Sequence, residues 1–190
     1  MTGEPLLDVC ATTIRGVFVL KPRRFRDARG WFSETWNASR MRDCGLDYEF
    51  VQDNQSFSSD RGTVRGLHFQ NPPAAQDKLV RVVSGSILDV AVDIRRSSPT
   101  YGQHVAIELT EQNGLQLLIP KGFAHGFLTL VGNTMVHYKV TAPYASGSDS
   151  GLAFDDPDLK IGWGVDRERA ILSSKDAMLP SFADFVSAFE

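Results

Sequence analysis

The chain has 190 residues, enough to bury one hydrophobic core, and no linker rich in Pro, Gly or Ser divides it. We therefore expect a single domain over residues 1–190. The formal net charge of −3 and the scattered basic residues argue against a nucleic-acid partner, although a few converging cations can still bind a small anion such as a diphosphate.

The N-terminal region lacks the features of a targeting signal. Residues 1–15 contain no basic stretch followed by an apolar one, and no apolar run in the chain approaches the ~20 residues that span a bilayer. Cys10 and Cys44 form no Cys-x-x-Cys or Cys/His spacing, which disfavours a disulfide framework and a zinc site. The sequence therefore predicts a cytoplasmic protein with no membrane partner.

A short helix is predicted near the start of the chain. Ala38, Met41 and Cys44 share one helical stripe, and the stripe ends at Gly45, a residue type that commonly follows a helix. This helix would lie at the edge of a structure that is otherwise built from strands.

Alternation with a period of two residues dominates the middle of the chain. Apolar and polar residues alternate over Leu88–Ile94, Val105–Leu109 and Thr134–Val140, which predicts strands with one buried face. Turn sequences such as Asn113-Gly114 and Gly132-Asn133 separate these strands at regular intervals. Short strands with this spacing are typical of an all-β sandwich or barrel.

A second short helix is predicted at the end of the chain. Ser181 and Asp184 have the spacing of a capping box before Phe185–Phe189. The predicted fold class is therefore all-β, a jelly-roll barrel with small peripheral helices at its ends.

The segment Gly114–Gly126 runs from a strand through a Pro-Gly turn and delivers His125 onto the next strand. It resembles the second signature of the cupin jelly rolls, in which the corresponding histidine can be a metal ligand. No second histidine stands beside His68, so a three-histidine site would need His104 or His137 from faces opposite to the apolar ones. The sequence therefore predicts neither a metal nor another cofactor.

Three ionisable side chains remain as candidates for acid–base chemistry. His68 follows Arg65-Gly66-Leu67, Lys78 opens a predicted strand, and Tyr138 shares the inward face of its own strand. Each has a purely structural alternative: a core tyrosine, a hydrogen-bonded core histidine and a lysine at the rim. The combination favours function, because several buried ionisable groups in one small barrel are costly to retain without a role.

A set of ordered motifs resembles the dTDP-4-dehydrorhamnose 3,5-epimerase family. The resemblance covers about Ile14 to Phe182, nearly the whole chain. It rests on the segments Asp27–Glu34, Phe50–Asn54, Arg65–Gln70, Pro120–Phe127, Tyr138–Tyr144, Asp155–Trp163 and Leu172–Asp176.

The resemblance implies a catalytic role for four of these residues. His68 is implied to be the general base that removes a proton beside the C4 ketone of the sugar, with Asp176 orienting its imidazole. Lys78 is implied to stabilise the enolate oxygen, and Tyr138 to return a proton from the opposite face. The implied reaction inverts C3 and C5 of dTDP-4-dehydro-6-deoxy-D-glucose, giving dTDP-4-dehydro-L-rhamnose for dTDP-L-rhamnose biosynthesis.

The resemblance also implies a binding site for the nucleotide sugar and a homodimer, in which the segment from Arg29 to Glu34 reaches the neighbouring subunit. Asp149 stands where the family usually carries a longer glutamate, which leaves that contact open. The implied binding residues are Arg29, Glu34, Gln52, Asn54, Arg65, His125, Asp149 and Lys175.

One spacing conflicts with a regular strand. Arg65 and His68 are three residues apart and would point to opposite faces, although the resemblance assigns both to the ligand. A bulge at Gly66 would reset the alternation.

Two other functions remain open at this point. The catalytic residues do not distinguish a double epimerase from an enzyme that inverts only C3 or C5 of a related nucleotide-linked 4-ketosugar. A cupin-like sugar-binding module without catalysis is the third possibility. The retained acid–base set argues against that module.

Overall fold

The computed structural model describes residues 5–190, and short antiparallel strands make up nearly all of the regular secondary structure in this range. A single α-helix and one 3₁₀ turn, Asp176–Met178, accompany the strands in this part of the chain. The elements are β1 (Leu7–Ala11), β2 (Phe18–Pro22), β3 (Phe25–Asp27), β4 (Gly30–Phe32), α1 (Ala38–Asp43), β5 (Gln52–Ser58), β6 (Val64–Gln70), β7 (Lys78–Ser84), β8 (Ser86–Asp93), β9 (His104–Thr110), β10 (Gln116–Ile119), β11 (Phe123–Thr129), β12 (Thr134–Val140) and β13 (Asp149–Gly151).

Two large sheets form the body of the fold. One has the order β1-β2-β10-β7-β12-β5, and the other has the order β13-β6-β11-β8-β9, while β3 and β4 form a separate hairpin. Neighbours in the sheets are antiparallel and are mostly distant in sequence. This architecture confirms the predicted jelly roll.

The first core lies between the two sheets. Val80 and Val136 contribute from the six-stranded sheet, and Ala91, Leu109 and Phe127 contribute from the five-stranded sheet. Tyr138 packs against the edge of this cluster and is partly buried. Side chains that point between the sheets therefore point either into this core or into the cavity that continues from it.

A second core covers the outer face of the five-stranded sheet. Val90, Val92 and Ile94 pack there against Leu152 and Trp163 from the C-terminal part of the chain. The strand β8 is consequently buried on both faces, so the prediction of one buried face was wrong for this strand. The polar residues that alternate with these apolar ones, such as Asp89, point into the barrel and not into solvent.

The outer face of the six-stranded sheet is covered by α1 and its flanking loops. Met41 packs against Leu20, Leu79 and Leu118 of the sheet. The helix ends as predicted, because Gly45 takes a positive φ of 78° just after the cap residue. The predicted N-terminal helix is therefore confirmed.

The predicted C-terminal helix is absent from the described structure. Ser181 and Asp184 form the two hydrogen bonds of a capping turn, yet residues 185–189 do not continue as a helix. Phe185 instead packs edge-on against Phe69, and Phe189 pairs with Arg95 as an isolated bridge. Burial of these rings on the sheet outweighs the local helical signal.

Candidate active site

A cavity of about 550 Å³ opens between the two sheets. Six strands line it, with three from each sheet, and the segment 171–176 closes one side. Among the lining side chains are His68, Lys78, His125, Tyr138 and Asp176. The strand pairing therefore brings together side chains that are far apart in the sequence.

His68 and Asp176 form a hydrogen-bonded dyad. Nε2 of His68 lies 2.7 Å from Oδ1 of Asp176, and the Gly66 amide donates to the other carboxylate oxygen over 3.4 Å. Burial acts to raise the pKa of Asp176, but the hydrogen bonds from His68, Gly66 and Ser173 together hold it below its ordinary value. Because an ionised carboxylate only accepts, Nε2 of His68 is the donor in this contact, and in the neutral form of the imidazole Nδ1 keeps a lone pair.

A bulge in β6 lets Arg65 and His68 face the same cavity. His68 pairs with His125 and Arg65 pairs with Phe127, so β6 uses one more residue than β11 over this interval. Gly66 occupies the bulge with a φ of 125°, and a Cβ atom there would lie 2.6 Å from the Cα of Gly126. The predicted bulge is therefore confirmed.

Lys78 enters the cavity from the six-stranded sheet and is buried, so it is not a rim lysine. Burial lowers the pKa of Lys78 to about 8, while the carboxylates of Asp89 and Asp149 act in the opposite direction. Its Nζ donates to the carbonyl oxygen of His68 over 3.3 Å. The cavity thus contains a desolvated ammonium that is still mostly protonated at neutral pH.

His125 forms a second dyad, deeper in the barrel. Its Nε2 lies 2.8 Å from Oδ1 of Asp89, and both side chains are buried. Burial lowers the pKa of His125, although the carboxylate of Asp89 opposes this effect. The imidazole is therefore neutral near pH 7 and donates one N–H to the carboxylate.

Tyr138 lies on β12, and its ring packs against the inner core. Burial raises the pKa of its phenol, and the positive charge of Arg65 partly offsets that effect. The phenol is therefore protonated at neutral pH and can act as a proton donor within the cavity.

Polar side chains line the mouth of the cavity. The Tyr144 hydroxyl donates to Oδ2 of Asp149 over 3.0 Å, and the Lys175 ammonium donates to the same oxygen. The Tyr144 amide donates to Oε1 of Gln52, whose amide nitrogen in turn donates to Oδ1 of Asn54 over 2.8 Å. One connected network therefore joins β5, β13 and the segment that carries Asp176.

Comparison with known proteins shows the family to which the chain belongs. The family model described as dTDP-4-dehydrorhamnose 3,5-epimerase matches residues 11–184. The chain is 48% identical over 178 residues to the dTDP-4-dehydrorhamnose 3,5-epimerase of Sinorhizobium fredii, covering 94% of this chain and 91% of that protein. The chain belongs to the dTDP-4-dehydrorhamnose 3,5-epimerase family.

Solved structures of this epimerase family have the same fold. The enzyme from Bacillus anthracis, crystallised with TDP and PPi bound, superposes with a TM-score of 0.90 at 46% identity, covering 93% of this chain and 99% of that one. The dTDP-6-deoxy-D-glucose-3,5-epimerase of Legionella pneumophila, in complex with dTDP-4-keto-L-rhamnose, also gives 0.90, at 40% identity and with 95% of both chains covered. The predicted epimerase family is therefore confirmed.

Most of the epimerase residues expected from sequence lie at the cavity, but two do not. Arg29 is at the tip of the β3–β4 hairpin, where its side chain is 90% exposed and pairs with Asp27. Glu34 pairs with Arg40 beside α1, away from the cavity of its own chain. The expected residues that line the cavity are His68, Lys78, Tyr138, Asp176, Gln52, Asn54, Arg65, His125, Asp149 and Lys175.

Sequence reasoning did not single out Tyr144, which lines the cavity, or Asp89, which lies beside it against His125. Tyr144 lines the cavity mouth, and its place in the Tyr138–Tyr144 motif was the available signal. Asp89 was assigned to a polar, outward face because it alternates with Leu88 and Val90, whereas its side chain lies inside the barrel against His125. The available signal was the need of a buried His125 for a partner, which could have been sought among the carboxylates that alternate with apolar residues in the neighbouring strands.

Within residues 5–190, no three His, Cys, Asp or Glu side chains are grouped as a metal ion would require. Over the same range, none of the helices has both the length and the apolar character needed to cross a bilayer.

Proposed function

We propose that the protein inverts C3 and C5 of dTDP-4-dehydro-6-deoxy-D-glucose, giving dTDP-4-dehydro-L-rhamnose for dTDP-L-rhamnose biosynthesis, with residues 1–190 acting as one catalytic domain. The observation that carries this proposal is the convergence of a histidine–aspartate dyad, a buried lysine and a buried tyrosine in one cavity. These groups supply a base, an enolate stabiliser and a proton donor, which are the requirements of epimerisation beside a ketone.

The first step is removal of the carbon-bound proton by His68. Its free Nδ1 lone pair is the base, because Nε2 is committed to Asp176. The proton moves to Nδ1 and the electron pair of the C–H bond becomes the enolate. Asp176 then stabilises the imidazolium that has formed. An aspartate that is ionised well below neutral pH suits this task.

The enolate oxygen is stabilised by Lys78. A ketone beside the reacting carbon makes the proton removable only if the negative charge on oxygen is balanced in the transition state. The Lys78 ammonium is desolvated, so its attraction to a developing oxyanion is stronger than it would be in water. Its pKa of about 8 keeps it mostly charged at neutral pH.

Tyr138 returns a proton to the opposite face of the sugar ring. A base that gave its proton back to the same face would regenerate the substrate, so inversion requires a donor on the other side. Tyr138 is carried by the six-stranded sheet and His68 by the five-stranded sheet, which suits attack from two sides. The raised pKa of the phenol keeps its proton available.

The nucleotide end of the substrate is assigned to the mouth of the cavity. Arg65 and Lys175 offer cationic donors to the diphosphate, since both residue types bind phosphate oxygens. Gln52, Asn54 and Asp149 offer polar groups for the nucleoside, with His125 deeper on the sugar side.

The enzyme is proposed to act as a homodimer in which the β3–β4 hairpin carries Arg29 and Glu34 towards the cavity of the partner subunit. Phe25, Trp31 and Phe32 on this hairpin are exposed, which is unusual for large apolar side chains on one small element. An apolar hairpin of this kind would be buried by a second copy. The exposed free thiols Cys10 and Cys44 support a reducing, cytoplasmic location.

The test is proton exchange in heavy water. The protein is incubated with dTDP-4-dehydro-6-deoxy-D-glucose in D₂O, and the sugar is followed at both ring positions by NMR. Deuterium at C3 and C5 together with the L-rhamno product supports the double epimerase. Incorporation at one position only would identify a mono-epimerase, and a bound sugar without exchange would identify a binding module.

A further inference from the structure

The segment that carries Asp176 lies on the surface with little packing of its own. In residues 173–178, which we call the Asp176 turn, Asp176 is buried and the other five residues are exposed. The backbone hydrogen bonds of the turn are local, apart from one that the Arg167 guanidinium donates to the carbonyl oxygen of Ala177 over 3.0 Å. A segment held by so few contacts opens more readily than the strands beneath it.

Two side chains tie the Asp176 turn to the barrel. Asp176 binds His68 and the Gly66 amide, and Lys175, the residue before it, donates from Nζ to Oδ2 of Asp149 on β13. The Asp149 side chain is 16% exposed and that of Lys175 is 52% exposed, so the ion pair lies at the edge of the cavity mouth. The hydrogen bond to Asp149 is the main cause that raises the pKa of Lys175, so this ammonium is charged at neutral pH.

Asp149 has a fixed place in the five-stranded sheet. It pairs with Gln70 on β6, the strand that also carries His68. The Tyr144 hydroxyl donates to the same carboxylate oxygen that receives the ammonium, over 3.0 Å. A carboxylate fixed in this way can locate the Asp176 turn relative to the imidazole of His68.

Gly151 keeps β13 close to both of its neighbours. It lies opposite His68 on β6. A Cβ atom at this position would lie 2.4 Å from the carbonyl oxygen of Leu67 and 2.9 Å from the methyl carbons of Leu179, the residue that follows the Asp176 turn. The strand β13 therefore lies between the strand of His68 and the end of the turn, where it fixes the distance between them.

We propose that Asp149 is a positioning residue for the reaction: through its ion pair with Lys175 it docks the Asp176 turn, and so keeps the carboxylate of Asp176 on His68. This inference rests on the proposed function in assigning proton abstraction to His68. A lysine ammonium has three N–H donors, so Lys175 can hold Asp149 and still contact a phosphate oxygen. Asp149 then has a task apart from the ligand contact that the resemblance implied.

Hydrogen exchange of the Gly66 amide tests this role without any sugar. The amide donates to Oδ2 of Asp176, so it loses its acceptor whenever the Asp176 turn undocks. The full chain labelled with ¹⁵N is followed by NMR in D₂O. We expect Asp149→Asn to speed exchange at Gly66 about fivefold, the change in population that loss of a partly exposed ion pair produces.

The Val64 and Leu67 amides are internal references in the same spectra. They donate to the carbonyl oxygens of Ile171 and Leu152, so they report on segments outside the Asp176 turn. Faster exchange at Gly66 with unchanged exchange at both references supports the positioning role. Equal acceleration at all three amides would show a general loss of stability and would overturn the role, as would unchanged exchange at Gly66.

Lys175→Met breaks the same ion pair from its exposed end, so it serves the test should Asp149→Asn fail to fold. If the pair acts as one tether, the double variant exchanges at Gly66 no faster than the faster single variant, whereas independent effects that multiply would contradict the proposal. Asp53→Asn is the matched control. It removes the carboxylate of an ion pair with Lys139, 2.8 Å long and outside the cavity lining, and exchange at Gly66 should stay at the wild-type rate.

Turnover gives a second readout, because a misplaced dyad lowers kcat whereas the loss of a ligand contact alone raises KM. We expect Asp149→Asn to lower kcat, by less than Asp176→Asn does. A raised KM with wild-type kcat and wild-type exchange at Gly66 would leave Asp149 as a ligand contact only and would refute the positioning role. Should the wild type not convert the sugar, the proposed function fails, while exchange at Gly66 still decides whether Asp149 docks the Asp176 turn.

Discussion

Nε2 of His68 lies 2.7 Å from Oδ1 of Asp176, a residue 108 positions further along the chain. The contact joins β6, the second strand of the five-stranded sheet, to the 3₁₀ turn Asp176–Met178. This turn belongs to the C-terminal cover, the segment 152–189 whose apolar side chains pack on the outer face of that sheet. The dyad therefore depends on how the C-terminal segment docks, and it can be tested one partner at a time.

Replacing His68 by alanine should abolish proton abstraction and preserve the fold. The side chain faces the cavity and is 32% exposed, so its loss opens no packed core. We expect kcat/KM to fall at least ~10²-fold to ~10⁴-fold, the usual contribution of a general base. Exchange of sugar protons in D₂O measures this, with circular dichroism as the control. Activity within a few-fold of the wild type would show that His68 is not the base.

Asp176→Asn should show a milder loss of activity, because the amide keeps a hydrogen bond and loses the charge that supports the imidazolium. It also has a stability signature. The folded-state pKa of Asp176 lies below its ordinary value of 3.8, so the folded protein binds that proton less tightly than the unfolded chain does.

The stability contributed by Asp176 is consequently present above the unfolded-state pKa and is lost as the pH falls through the folded-state pKa. Urea unfolding should give a difference between wild type and Asp176→Asn that is constant near neutral pH and shrinks below about pH 4. A difference that does not change over this range would mean that the charge of Asp176 is not stabilised in the folded state.

Tyr138→Phe should separate exchange from inversion. The ring volume is kept, so stability should change by less than ~1.5 kcal/mol. His68 and Lys78 would still generate the enolate, and the sugar should exchange a proton with D₂O much faster than inverted product accumulates. Both rates are measured in one NMR experiment. A wild-type ratio of exchange to product would remove Tyr138 from the catalytic set.

Gly66→Ala should damage both the fold and the site. The residue has a φ of 125°, and its new Cβ would meet Gly126 at 2.6 Å and the carbonyl oxygen of His125 at 2.7 Å. We expect a loss of at least ~2 kcal/mol in the free energy of unfolding. Gly162→Ala is the control, because a Cβ there meets nothing within 4 Å. Equal stability of the two variants would show that the bulge tolerates a side chain.

Metal removal should leave the reaction unchanged. The proposed chemistry uses His68, Lys78 and Tyr138, and it assigns the charge on the enolate oxygen to an ammonium. Exhaustive chelation should therefore not alter turnover, and elemental analysis should find no stoichiometric ion. Activity that is lost on chelation and restored by one metal would replace Lys78 with that metal as the enolate stabiliser.

The sequence predicted the parts of the fold in which local pattern and tertiary environment agree. The helix ending at Gly45 formed as expected, and so did the strand Thr134–Val140. The C-terminal helix failed because Phe185 gains more from packing on Phe69 than from a local turn. Burial of β8 on both faces was not predictable from alternation, since the covering segment is contributed by a distant part of the chain.

The site residues also divide into those that the sequence predicted and those that depend on contacts between distant strands. The motifs implied which residues would meet at the cavity, and the bulge at Gly66 was inferred from the conflict between Arg65 and His68. Asp89 was missed because a carboxylate alternating with apolar residues is normally interpreted as facing solvent. Only the pairing of β8 with β11 reveals that it lies against His125.

The C-terminal cover has a consequence for the order in which the enzyme becomes active during translation. His68, Lys78 and Tyr138 are synthesised before Asp176, and the jelly-roll strands that hold them precede the cover as well. A ribosome-bound chain could pair these strands while His68, the proposed general base, still lacks the carboxylate of Asp176. Catalytic competence would then arise late in synthesis, when the segment that shields the outer face of the sheet also completes the dyad.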